Sequence, residues 1–103
     1  MKTQNYFVKW THINEQNPED HSNKNVTICT IANKEDGTLI ARGSARLGKK
    51  DTFNKKRGNA VSLLRVLKNM ENKTVRTEIY VALKEQSPKI FNELKQLNKK
   101  AIH

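Results

Sequence analysis

"VRTEIYVALK", residues 75–84, alternates with period two: Val75, Thr77, Ile79, Val81 and Leu83 fall on one side, Arg76, Glu78, Tyr80 and Lys84 on the other. Successive strand side chains point to opposite faces of a sheet, so the pattern predicts a half-buried β-strand here, the fourth of the chain. Upstream, "YFVKWTHI" (6–13) predicts a first strand with Tyr6, Val8 and Trp10 on one face and Phe7, Lys9 and Thr11 on the other. The polar "NEQNPEDHSNKN" (14–25) contains Pro18 and predicts a loop. "VTICTIA" (26–32) is β-branched and apolar, and Asp36-Gly37 in the following "NKEDGT" suits a hairpin turn that needs positive φ. The returning strand is expected over 38–47. Its odd positions Leu39, Ala41, Gly43, Ala45 and Leu47 are apolar or small, whereas Arg42, Ser44 and Arg46 share the other face.

The period then changes. Phe53, Ala60, Leu63, Leu64, Leu67 and Met70 form one stripe at 100° per residue, which predicts an amphipathic helix over 53–70 with Asp51 or Thr52 as N-cap. "SPKIFNELKQLNKKAIH" opens with Ser87 as cap and Pro88 at the first helical position, and Ile90, Leu94, Leu97 and Ala101 line one stripe of a closing helix. The expected order is β-β-β-α-β-α, an α+β fold with a mostly antiparallel sheet and two helices packed on one face. A chain of 103 residues with 35% hydrophobic and 29% charged residues is expected to form one small basic domain, 1–103.

Composition narrows the function classes. No apolar run approaches the roughly 18–20 residues that span a bilayer, and "MKTQNYFVKW" has no apolar signal core, so no membrane partner and a cytoplasmic location are expected. Cys29 is the single cysteine, which excludes an internal disulfide and a thiolate zinc cluster, and it reads as a small core hydrophobe. His12, His21 and His103 are far apart, Ser44 and Ser62 have no evident base, and no carboxylate pair has catalytic spacing, so no enzyme activity, metal or cofactor is expected. "GKKDT" lacks the first glycine of a phosphate-binding loop, and "GSARLG" is no dinucleotide fingerprint.

Charge carries the remaining signal. The chain has a formal net charge of +10, and between positions 42 and 57 seven basic residues face the single acid Asp51, so 7 − 1 = +6 of it lies in that stretch. Arg42, Arg46, Lys49, Lys50, Lys55, Lys56 and Arg57 are therefore the candidate nucleic-acid-binding residues, expected to form one continuous positive surface. Cations in the first turn of a helix oppose its dipole by about 0.3–1 kcal/mol each, so local stability does not account for Lys55, Lys56 and Arg57, whereas a bound phosphate would. Gly58 costs roughly 1 kcal/mol against alanine inside a helix, and its missing side chain serves either a close phosphate backbone or a neighbouring element. Trp10, Tyr6 and Tyr80 are the aromatics that base stacking could use, with core packing the competing role for Trp10.

Two resemblances bear on these expectations. The element order resembles the first part of a ribonuclease H-like domain, but the first strand has no acid and the first helix none before Glu71, so the metal-dependent chemistry of that family is not implied. The stretch "GKKDTFNKKRGNAVSLLR" (48–65) resembles one found in small uncharacterised phage and prophage proteins, in which an Asp-x-Phe segment, paired basics and a glycine open an amphipathic helix. That likeness covers under a fifth of the chain and implies a phage origin, with a bacterial host cell as location. The reading is a non-catalytic nucleic-acid-binding domain whose partner is DNA or RNA. The alternative is a phage-encoded, anti-CRISPR-like inhibitor of a host-defence nuclease that binds a nucleic-acid-processing protein complex.

Overall fold

The computed structural model describes residues 1–16, 18–19, 23–47 and 55–101. Three strands, β1 (Tyr6–Gln16), β2 (Asn23–Asn33) and β3 (Leu39–Leu47), are followed by three helices, α1 (Lys55–Lys68), α2 (Lys73–Gln86) and α3 (Pro88–Ala101). The strands form an antiparallel sheet in the order β1-β2-β3. The class is α+β, as the alternation and periodicity require.

Alternation sorts the sheet into two faces. Tyr6, Val8 and Trp10 of β1 lie in register with Asn33, Ile31 and Cys29 of β2, and Cys29 with Gly43 of β3. This is the covered face: Val8, Cys29, Ile31 and Ala45 are buried, and Tyr6, Trp10 and Ala41 pack against the same core. Each fully buried aliphatic side chain here contributes about 1.5–3 kcal/mol of transfer free energy. Helix α1 packs on β2 and β3 with one side and on α3 with another. It therefore buries Ser62 and Val66 in addition to the expected stripe of Ala60, Leu63, Leu64, Leu67 and Met70. The Ser62 hydroxyl, fully buried, donates to the Asn59 carbonyl oxygen at 3.1 Å, so it carries no unmet hydrogen bond into the core.

Two glycines set how close α1 comes. A Cβ at Gly43 would stand 2.5 Å from Val66 Cγ2 and 2.9 Å from the Ser62 carbonyl oxygen, and one at Gly58 would stand 2.5 Å from Thr27 Oγ1. Gly58 therefore makes room for the sheet, which decides between the two roles its sequence position allows. In the β2–β3 turn, Gly37 has φ 74°, the positive value expected of the Asp36-Gly37 pair, and the Gly37 N–H donates to the Asn33 carbonyl at 2.8 Å.

Residues 75–84 are helical, not a strand. Asn72 caps α2, its side-chain oxygen accepting from the Thr74 N–H at 3.0 Å and the Val75 N–H at 3.3 Å. The buried residues Val75, Ile79, Ala82 and Leu83 follow helical spacing, while Val81, which alternation would bury, is 55% exposed. With a helix where the ribonuclease H-like order requires a strand, the likeness in element order ends at α1. The first hairpin is also longer than expected: Asn14, Glu15 and Gln16 pair with Asn25, Lys24 and Asn23, because backbone ladder bonds form whatever the side-chain polarity. Residue 88 opens α3 as expected, with the Phe91 N–H donating to the Ser87 carbonyl at 3.0 Å. The expected caps Asp51 and Thr52, and Phe53, lie outside the described residues.

The N-terminal segment doubles back along β1. The Met1 ammonium donates to the Val8 carbonyl at 2.9 Å and the Val8 N–H to the Met1 carbonyl at 2.8 Å, which covers part of the outer edge of β1. Glu78 of α2 anchors this segment: its carboxylate accepts from the Thr3 hydroxyl, from Asn5 Nδ2 at 2.7 Å and from the Asn5 N–H at 3.1 Å. Partial burial tends to raise the carboxyl's pKa, but these three hydrogen bonds outweigh it and hold Glu78 below the usual glutamate range.

Two expectations follow from these contacts. Alanine at a helix-interior glycine ordinarily gains about 1 kcal/mol in propensity, but overpacking costs about 1–3 kcal/mol. Gly58→Ala and Gly43→Ala should both lower the urea midpoint with unchanged slope, Gly43→Ala more, since the backbone oxygen it meets cannot rotate away. Because the pKa of Glu78 is depressed on folding, its contribution is complete above the unfolded value of about 4.3 and is lost as pH falls through the lower folded value. Urea midpoints should therefore show Glu78→Gln less stable than wild type at pH 7, with the gap closing below about pH 4.

Candidate functional site

Among the described residues, no helix covers the face of the sheet away from α1. Register places three rows of side chains across it, Lys9–Thr30–Arg42, Thr11–Ile28–Ser44 and Ile13–Val26–Arg46. Lys9, Thr11, Ile13, Arg42 and Arg46 are exposed. Val26, between Ile13 and Arg46 in its row, is buried at 5% exposure. Ile13, Val26, Ile28, Arg42, Ser44 and Arg46 line a shallow depression there. None of the three rows contains an acid; Glu15, in register with Lys24, follows Ile13 on the same face of β1. Phe7 lies beyond them at 38% exposure, with the Lys34 ammonium 5.9 Å from its ring centroid.

The sequence-predicted basic residues divide between the two sides of the sheet. Arg42 and Arg46 stand together on the open face, as their four-residue spacing on a strand requires. Arg57, also exposed, belongs to α1, whose neighbouring Gly58 rests on Thr27 of the covered face. The expected single continuous surface is thus split by the sheet, because one alternation that faces arginines outward turns the small residues Ala41, Gly43 and Ala45 toward the helix. Lys55 and Lys56 form the start of α1, whose first turn holds no acid. Lys49 and Lys50 lie outside the described residues.

Two basic residues were missed from the sequence-derived set. Lys9 joins Arg42 in one row; its place was readable from the alternation of β1, but not which face would be left open. Arg65 of α1 reaches the edge of the sheet, donating from Nη1 to the Ser44 carbonyl at 2.7 Å, and so occupies an outer-edge acceptor of β3. No one-dimensional signal marks that contact.

The aromatics considered for stacking serve the core instead. Trp10 Nε1 donates to the Asn59 carbonyl at 3.1 Å, which ties the sheet to α1, and Tyr6 and Tyr80 pack against the buried cluster. Cys29, fully buried between Trp10 and Gly43 in its row, has its thiol pushed up to about 12 by desolvation against the opposing field of the N-terminal ammonium. His12 Nδ1 lies 3.0 Å from Thr27 Oγ1. Among the described residues no three histidines, cysteines or acids gather into a group that could hold a metal ion, and no helix is long and apolar enough to cross a membrane.

Compared with family models, with curated proteins and with solved structures, the chain matches none.

The placement of Cys29 is open to a direct check. Its neutral, buried thiol should resist a disulfide reagent such as dithionitrobenzoate at pH 8, reacting at the rate of global opening in buffer and within seconds in high urea. Rapid labelling of the native protein would place the thiol outside the core.

Proposed function

We propose that this chain is a non-catalytic nucleic-acid-binding domain that engages phosphates through the open face of its sheet. The observation that carries the reading is the three-row patch in which Arg42 and Arg46 on one outer strand and Lys9 on the other flank the uncharged Val26, Ile28 and Thr30 of the central strand, with the face's one acid in β1, Glu15, placed beyond them opposite Lys24. A net charge of +10 supplies the long-range attraction that concentrates a polyanion near this surface. Guanidinium groups offer planar paired donors suited to phosphate oxygens. The basic helix start, Lys55 to Arg57, adds charge from the other layer and strengthens general attraction rather than completing the same contact surface.

The reading is tested by the salt dependence of binding to a labelled 20-base-pair DNA duplex. Each phosphate neutralised on a duplex contributes about 0.9 to the log–log slope. Arg42→Gln combined with Arg46→Gln should weaken binding and flatten the slope by about 1.8, while Lys84→Gln with Lys95→Gln, exposed lysines of α2 and α3, should leave both nearly unchanged. Equal losses in the two variants would reduce the face to ordinary surface charge. If no nucleic acid is bound at about 0.1 M salt and a stable complex forms with an acidic nuclease, the reading is overturned in favour of the protein inhibitor.

A further inference from the structure

We infer that the nucleic acid this face accommodates is B-form duplex DNA, with the sheet set into the major groove, an inference that rests on the nucleic-acid reading and narrows it. Three adjacent strands span roughly 10 Å between the outer backbones. The major groove of B-DNA is about 12 Å wide, whereas its minor groove is about 6 Å, and the A-form RNA major groove is too deep and narrow for side chains to read. Seated in the wider groove, the outer strands lie nearest its walls. Lys9 on β1 then faces one phosphate strand and Arg42 and Arg46 on β3 the other, the two arginines about 13 Å apart along the strand.

The central strand supports the same occupant. Ile28 and Thr30 project from the middle of the face, between the cationic flanks. A threonine hydroxyl can exchange hydrogen bonds with base edges in the major groove, and the methyl groups of both residues can meet the thymine C5-methyl that is displayed only there. Single strands make a different demand. Sequence-tolerant single-strand binding relies on aromatic rings that stack on successive bases, each worth about 1–3 kcal/mol. The three rows contain no aromatic, Trp10, Tyr6 and Tyr80 are committed to the core, and Phe7 at the margin is paired with the Lys34 ammonium. A charged, aliphatic and hydroxyl-bearing face without a stacking platform suits a duplex, in which bases offer their edges and not their planes.

The decisive comparison uses the wild-type chain and four 20-mer probes of one sequence: duplex DNA, the same duplex with each cytosine replaced by glucosylated 5-hydroxymethylcytosine, single-stranded DNA, and duplex RNA. The glucosyl groups fill the major groove without altering the minor groove or the phosphates. Unmodified duplex DNA should bind best, with at least a tenfold loss on glucosylation and weaker binding of single-stranded DNA and duplex RNA. A minor-groove ligand such as distamycin should not displace the protein. Undiminished binding to the glucosylated duplex, or equal binding to single strands, overturns the major-groove inference. If Arg42→Gln with Arg46→Gln still weakens binding in that event, the nucleic-acid reading survives alone; failure to bind all four probes overturns both. In a second variant, Thr30→Ala, nonspecific affinity should persist while any sequence preference selected from a random duplex pool diminishes; an unchanged preference would remove the central strand from the contact.

Discussion

The close seating of α1 on the sheet is the constraint from which the rest of the architecture follows. At Gly43 the helix backbone itself, through the Ser62 carbonyl, stands where a Cβ would be, and at Gly58 the stiff side chain of Thr27 does. An interlock at two points, one glycine contributed by the strand and one by the helix, fixes the position of α1 and leaves little room for sliding. Ala41 and Ala45 extend the low floor on either side of Gly43, and Leu63, Val66 and Leu67 seal the contact with apolar surface. Once α1 is seated, α3 closes against its outer side. The N-terminal segment is then held to α2 through Glu78.

The same constraint produces the candidate site. A strand whose odd positions are small enough to admit a helix must turn its even positions the other way, and in β3 those are Arg42, Ser44 and Arg46. Burying an unpaired guanidinium costs several kcal/mol, so the charges disfavour a second helical layer over that face. An uncovered sheet face is thus a consequence of sequence alternation and of electrostatics together. Its arginines, Arg42 and Arg46, are exposed. Outer edges of the sheet are protected by other means, the N-terminal segment along β1 and Arg65 at Ser44 on β3, so the face is presented without inviting strand addition at those positions.

Splitting of the basic stretch shows why charge density along a chain is a poor guide to charge density on a surface. Arg42 and Arg57 are fifteen positions apart in sequence (57 − 42 = 15) and belong to different layers. Lys9, far from both in sequence, shares a row with Arg42 because antiparallel pairing joins each of them to Thr30. Cross-strand registry and layer order, not proximity along the chain, decide which cations share a surface.

Residue alternation by itself determined the sheet: the faces of β1 and β3, the hairpin at Gly37, the start of α3 at Pro88 and the burial of Cys29 all follow from local pattern and turn chemistry. Residues 75–84 mark its limit. A strand repeats every two residues and a helix nearly every four, so Val75, Ile79 and Leu83 satisfy both periods, and Thr77 and Val81, β-branched and exposed in the helix, tilt the pattern toward a strand. Asn72 as N-cap was the local sign of a helix, and burial of Ala82 confirms the period only once the core is formed. Tertiary structure alone decided that α1 lies over Gly43, that Trp10 and Tyr80 serve the core, and that Arg42 and Arg46 stand apart from Arg57. The physical reason is that a strand's alternation defines two faces equally well, and only the helix that packs against one of them determines which is left to the solvent.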